Sequence, residues 1–252
     1  MNGYAAFLKK ELTENMKNCR FPILFAVFLI FGLTSPFLAR FMPEILSAVA
    51  ADMQMGAPPA ALDAWEQFYK NISGVGFSAF IILFGSCMSG EYSRGTLVLL
   101  VTKGLPRSAV IFAKYTVAAV LMTVCYWTGF LAACCCTACL WPGVTLSHVF
   151  TAAFYLWITG FLYLSILLSG CVIFRQTFTS ILFTGGIVAV ISLLGIAPPL
   201  AKFNPFLLAS KNVDLISGAA SVSELFMPAI ISAAITIIGL WAALMFFDRK
   251  QL

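Results

Sequence analysis

Residues 149–174 read VFTAAFYLWITGFLYLSILLSGCVIF. The run contains no Asp, Glu, Lys or Arg. A helix needs about 20 apolar residues to cross a hydrocarbon core about 30 Å thick, so this stretch predicts a membrane-spanning helix. Five further runs are equally free of charge: Phe21–Ala39, Gly74–Gly90, Tyr115–Trp141, Phe178–Leu200 and Phe226–Phe247. A charged side chain at mid-membrane costs about 2.5–3.5 kcal/mol on insertion scales, and six clean runs therefore predict six crossings. The chain has 252 residues, 61% of them apolar and 10% charged, where an average soluble domain has about 25% charged. That is too little charge to cover a water-facing surface. A soluble enzyme, a secreted disulfide scaffold and a disordered tail are all excluded. The expected fold class is an all-α integral membrane protein with six transmembrane helices, forming one domain over residues 1–252.

The net charge of +5 follows from topology and does not point to nucleic acid. Lys9, Lys10, Lys17, Arg20, Arg94, Lys103, Arg107, Lys114, Arg175, Arg249 and Lys250 fall on one side of the six spans. Only Arg40, Lys70, Lys202 and Lys211 fall on the other. The positive-inside rule then puts both termini in the cytoplasm of a multi-pass protein of the cell (plasma or inner) membrane. The first run is longer than a signal-peptide core. Arg40, Pro43 and Glu44 also separate it from the small residues Ala48–Ala50, so it is expected to stay as a span.

Residues 1–20 place Tyr4, Phe7, Leu8 and Leu12 on one helical face, away from Lys9, Lys10, Glu14 and Lys17. This pattern predicts an amphipathic helix lying on the inner leaflet. Pro22 suits the first turn of the following span. Residues 40–73 form the first external segment, with short helices expected at Glu44–Met53 and Ala61–Asn71 around the breaker Met55–Pro59. The second external segment, 201–225, mixes polar and apolar residues and predicts short helices at the outer interface.

Catalytic groups are sparse. The sole histidine, His148, sits at the mouth of the fourth run with no carboxylate beside it in sequence. No lysine follows a glycine, so a phosphate-cradling P-loop is absent. Cys134, Cys135, Cys136 and Cys139 could offer thiolates to a soft cation. With no His or Met ligand adjacent they read as small apolar fillers, and no metal is assigned. Hydroxyl and small residues gather in spans two and five. Ser78, Ser86, Ser89, Thr179, Ser180, Thr184 and Ser192 are candidates for close packing or for lining a path of modest polarity.

The internal segment 91–108 is the most informative. Glu91 and Arg94 sit at i,i+3 spacing, Gly95 permits a sharp turn, and Thr96–Val101 is a short apolar stretch between charges. Gly104 and Pro106 break it, and Ser108 is placed to cap the next helix. The pattern Glu91, Arg94-Gly95-Thr96-Leu97, Leu100, Thr102-Lys103, Arg107, Lys114 directly after span two resembles permease subunits of the type-2 ABC exporter family. So do the amphipathic start, Gln67–Asn71 and Asn204-Pro205-Phe206. Gly104-Leu105-Pro106 departs from members that place proline directly after the lysine.

The resemblance implies a transmembrane subunit of an ATP-driven exporter. Its partners would be separate ATP-binding ABC subunits, a second identical or related permease copy, and the lipid bilayer. It implies no cofactor on this chain, since ATP and Mg belong to the partner. It implies a cytoplasmic coupling helix carrying Glu91, Arg94, Gly95, Thr96, Leu97, Leu100, Lys103 and Arg107. The rival readings are a non-transporting assembly or regulatory subunit and a membrane-embedded enzyme.

Overall fold

The structure is a computed structural model that describes residues 3–49, 59–93, 95–97, 102, 104, 106–144, 146–195 and 197–249. All regular structure among the described residues is helical. Among the described residues, six helices are long and apolar enough to cross a membrane. They are Arg20–Met42, Ala61–Tyr92, Arg107–Leu140, Val149–Phe174, Thr177–Leu194 and Val222–Arg249, hereafter spans one to six. The chain is thus a multi-pass membrane protein.

Helix α1 (Gly3–Lys17) precedes span one. Cys19 takes a left-handed φ of 56° at the corner between them, and helix α2 (Arg20–Val49) begins at once. Pro22 falls in its first turn, where a missing N–H costs nothing. The expected separate helix from Glu44 is not separate, because α2 carries span one straight through to Val49. Charge ends the apolar run but does not end a helix, and Pro43 removes only one ladder hydrogen bond. Residues 50–53 of that expectation lie outside the described residues.

Span two starts well before Gly74. The helix Ala61–Asn71 forms as expected, but a π-helical turn, Ile72–Gly76, joins it to Phe77–Phe84 as one rod. Asp63 accepts from the Ala60 N–H at 2.9 Å and caps its start. The rod relaxes into turns at residues 85–88 and resumes at Ser89–Ser93. Span three begins at Arg107 rather than Tyr115. Pro106, in extended conformation, is its N-cap residue, so Ser108 lies inside the helix and does not cap it.

Span four matches its expected limits, Val149–Phe174. Left-handed Arg175 (φ 60°) reverses the chain into span five. That span ends at Leu194, short of the expected Leu200. Asn204 supplies the stop. Its Nδ2 donates to the Ile191 carbonyl at 2.7 Å, and its Oδ1 accepts from the Phe206 N–H at 2.9 Å. Short helices follow at Pro198–Ala201, Leu207–Ser210 and Asn212–Ser217.

Span four forms the centre of the bundle, with 78% of its apolar window buried against 11% for span five and 17% for span six. It packs on spans five and six and, less extensively, on span three, while span one packs chiefly on span three. The tightest crossing is backbone on backbone. A Cβ on Gly32 would run into the Gly129 carbonyl oxygen, and one on Gly129 would lie 2.6 Å from that of Phe28. Only glycine allows spans one and three to come so close. At the end away from α1, Trp65 packs on Phe130 with ring centroids 5.4 Å apart. There the Tyr69 hydroxyl donates to the Val149 carbonyl at 3.0 Å, tying span two to span four.

Candidate functional site

The break at residues 85–88 turns the end of span two so that Glu91 points inward, 5% exposed. Lys114 of span three and Glu11 of α1 meet it there, 5% and 4% exposed. The Lys114 ammonium lies 3.0 Å from both Glu11 oxygens and 3.2 Å from Glu91 Oε2. It also donates to the Cys87 carbonyl at 2.9 Å. Lys10 closes the other side, 2.6 Å from Glu91 Oε1 and 3.0 Å from both Glu11 Oε1 and Glu14 Oε2. The Phe7 ring covers the cluster, with Lys10 and Lys114 at 5.1 and 5.9 Å from its centroid.

Two ammonium groups and three carboxylates therefore share one partly water-excluded site. Arg20 adds a nearby positive charge: it donates to Ser86 Oγ at 2.7 Å and to Asn15 Oδ1 at 3.5 Å. Asn15 in turn donates to the Glu11 carbonyl at 2.9 Å. Partial burial by itself would lower the pKa of Lys10. The Glu91 hydrogen bond and the charges of Glu11 and Glu91 outweigh burial and hold it above the ordinary lysine value. Breaking such a cluster by removing one partner leaves a buried charge uncompensated, at a cost of about 3–5 kcal/mol. The network accordingly fastens α1, the end of span two and span three to one another. The three carboxylates could in principle hold a cation, but two ammonium groups already occupy that role.

This cluster differs from the sequence expectation. Arg94, the partner expected for Glu91, lies outside the described residues together with Leu100 and Lys103. The observed partners of Glu91 are Lys10, read from sequence only as a polar-face and topology charge, and Lys114, read as a topology charge and as the last residue of the loop pattern, while Glu11 has no role in that reading. The available signal was Lys114 itself, a charge inside the helix that becomes span three.

A family model described as ABC-2 family transporter protein matches residues 5–252. The chain belongs to this family. No curated protein sequence matches it. Family and six-helix fold together make it a membrane permease of the ABC transporter superfamily, a transport protein of the exporter type and not an enzyme.

The remaining candidate residues of the permease fall in three places. In the loop after span two, Gly95 is exposed at φ 65°, Thr96 is exposed, and Leu97 is buried at 1%. Arg107 donates to the carbonyls of Phe247 and Asp248 at 3.2 and 3.0 Å, joining the start of span three to the end of span six. On α1 the expected apolar face divides. Phe7 turns into the protein beside Glu11 and Asn15, Leu8 is half-buried, and Tyr4 and Leu12 stay exposed with Met16. Tyr4, Leu12 and Met16 thus face away from the core, while Leu8, on the same helical stripe, packs partly against it.

The seven hydroxyl candidates do not converge on one passage within the chain. Ser78 is exposed and donates to the Gly74 carbonyl. Ser86 accepts from Arg20. Ser89 and Thr177 share a 2.7 Å hydrogen bond between spans two and five. Ser180 and Thr184 are buried and donate to carbonyls one turn back. Thr179 donates to Gln176 Oε1, and Ser192 is half-buried. Cys134, Cys135, Cys136 and Cys139 are free thiols along span three, with Cys135 and Cys139 exposed.

Proposed function

We propose that this permease is the membrane half of an ATP-driven exporter, working as a dimer and driven by separate ATP-binding subunits docked at the end that carries α1 and the last turn of span six. That end would be cytoplasmic, which the excess of Lys and Arg there supports. The observation that carries the reading is the Lys10–Glu91–Lys114–Glu11 cluster. Any force applied to the loop after Glu91, or to α1, reaches spans two and three through the same buried ion pairs. Beside the cluster, α1 presents an open polar groove lined by Lys9, Lys10, Thr13, Glu14, Lys17 and Asn18, a chemistry suited to a water-soluble partner. Its opposite stripe, Tyr4, Leu12 and Met16, suits the lipid surface.

The dimer reading rests on the open faces of spans two and five. On span two, Val75, Ser78 and Ile82 are exposed, and a side chain on Gly74 would touch nothing. On span five, Phe178 is 74% exposed, and Gly185 and Gly186 are equally open. Facing copies would enclose a path of modest polarity between these surfaces. ATP and Mg would be held by the partner, since this chain has no phosphate-binding loop.

The test is Glu91→Gln in the complex with the ATP-binding subunit. Membrane insertion is expected to remain normal, ATP hydrolysis to continue, and export per ATP to fall at least tenfold. Unchanged export in a well-inserted variant would remove the coupling role. Absence of any stimulation of a co-purified ATPase by the wild-type permease would favour a non-transporting assembly subunit.

A further inference from the structure

The short helices after span five leave a cavity of about 580 Å³ against the first turn of span six, at the end of the bundle opposite the ion cluster. Its volume falls in the roughly 300–1,000 Å³ range of small-molecule sites. Phe203, Leu207, Leu225 and Met227 give it apolar walls, and Lys202 and Lys211 line it as well. Apolar surface continues from it along span six. Met227, Ile230, Ile237 and Trp241 are exposed and share one face of that helix.

The two lysines set this cavity apart. Positive charge is scarce at this end of the bundle, where the sequence places only Arg40, Lys70, Lys202 and Lys211. Lys70 is paired with Glu66. Lys202 and Lys211 line one cavity, yet neither ammonium has a hydrogen-bond or ion-pair partner among the described residues. Glu224, the acid in the same lining, accepts from Ser221 Oγ at 3.1 Å and pairs with neither lysine. Lys202 is exposed and Lys211 half-buried. A lysine stem lies along apolar surface while its head swings to meet water or a charge, so neither head is locked away from an anion in the cavity. Phosphate oxygens accept strong, charge-assisted hydrogen bonds from such heads. Two cations alone would suit a free anion. The apolar walls and the stripe leading from them add a bed for a tail, at the level where spans five and six end and lipid headgroups begin.

We propose that this cavity holds the anionic phosphate headgroup of a membrane lipid between Lys202 and Lys211, with its tail along Met227 and Ile230. The site goes beyond the exporter reading and does not rest on it, because it needs neither ATP nor a second copy of the chain.

The test uses the full-length chain in phosphatidylcholine nanodiscs. The probes are phosphatidylglycerol and phosphatidylcholine carrying the same photoreactive diazirine near the top of one tail, each added separately as a minor component. Phosphatidylglycerol adducts are expected at Phe203, Met227 and Ile230, in clear excess over those of phosphatidylcholine. A lysine beside an anionic lipid surface is worth about fivefold in binding. Lys202→Gln or Lys211→Gln is therefore expected to lower the excess about fivefold, and the double variant to abolish it. Unchanged phosphatidylcholine adducts report that each variant is folded. Lys70→Gln removes the same charge at the same end from a residue already paired, and should leave the excess unchanged. Inorganic phosphate, compared with chloride at equal ionic strength, should not compete. Equal labelling by the two probes, an excess untouched by the double variant, or an equal loss in Lys70→Gln overturns the proposal. Competition by inorganic phosphate overturns it too, by showing that the lysines take a free anion.

Discussion

Lys114→Met keeps an apolar stem of similar length and deletes one of the two positive charges in the cluster. The three carboxylates of Glu11, Glu14 and Glu91, whose ligand oxygens lie within 4.8 Å of one another, would then face Lys10 alone. At an effective dielectric of about 20, each like-charge pair at that separation repels by about 3–4 kcal/mol before Lys10 screens it. Truncating one partner of a buried ion pair costs about 3–5 kcal/mol, and the two figures agree in scale. The site loses this energy where α1 meets spans two and three, so amide hydrogen exchange over residues 3–17 and 89–93 is the direct assay. In nanodiscs, protection there is expected to fall about a hundred- to several-thousandfold, with span four unaffected. Adding Glu11→Gln relieves the excess negative charge, and the double variant is expected to recover part of the loss. Exchange within twofold of wild type in Lys114→Met, or further loss in the double variant, would refute the reasoning.

Gly129→Ala sets a methyl 2.6 Å from the Phe28 carbonyl oxygen and forces spans one and three apart. It is expected to lower thermal stability in detergent by more than about 2 kcal/mol, whereas Gly186→Ala, which meets open space, changes it little. Asn204→Ala removes both hydrogen bonds that end span five and is expected to cost about 1–3 kcal/mol in the same melt. The raised pKa of Lys10 makes its stabilisation fully present below the unfolded lysine value of about 10.4 and lost only as pH rises through the higher folded value. Proteolytic release of α1 is therefore expected to be flat between about pH 6 and 9 and to increase only in stronger alkali. A transition near neutrality would show that a different group holds the helix.

The six crossings were legible because charge is costly in lipid, and Val149–Phe174 even matched at both ends. The helix limits elsewhere were not, since a helix stops at a backbone event and not where its apolar run stops. α2 passes Arg40 and Pro43 unbroken, while span five halts six residues early because Asn204 captures the Ile191 carbonyl. Burial within the bundle was also hidden. Lipid and protein core are equally apolar, so nothing in composition distinguishes enclosed span four from exposed span five. Glu91 stood out by its place after span two, but its partners Lys10, Glu11 and Lys114 come from three separate segments and only the fold unites them. The Gly32–Gly129 crossing was missed for the same reason, while a Cβ on either member of the more conspicuous Gly185-Gly186 pair would meet nothing within 4 Å among the described residues.

The most direct measurement is site-specific photocrosslinking in the assembled complex, with a benzophenone side chain at exposed Thr96 and, separately, at exposed Thr13 of α1. Both positions are predicted to attach to the same ATP-binding subunit, while Phe178 on the open face of span five gives no such product. The account is contradicted if neither position reaches an ATP-binding subunit in a normally inserted protein, or if a cysteine at position 96 reacts with an impermeant reagent applied outside intact cells.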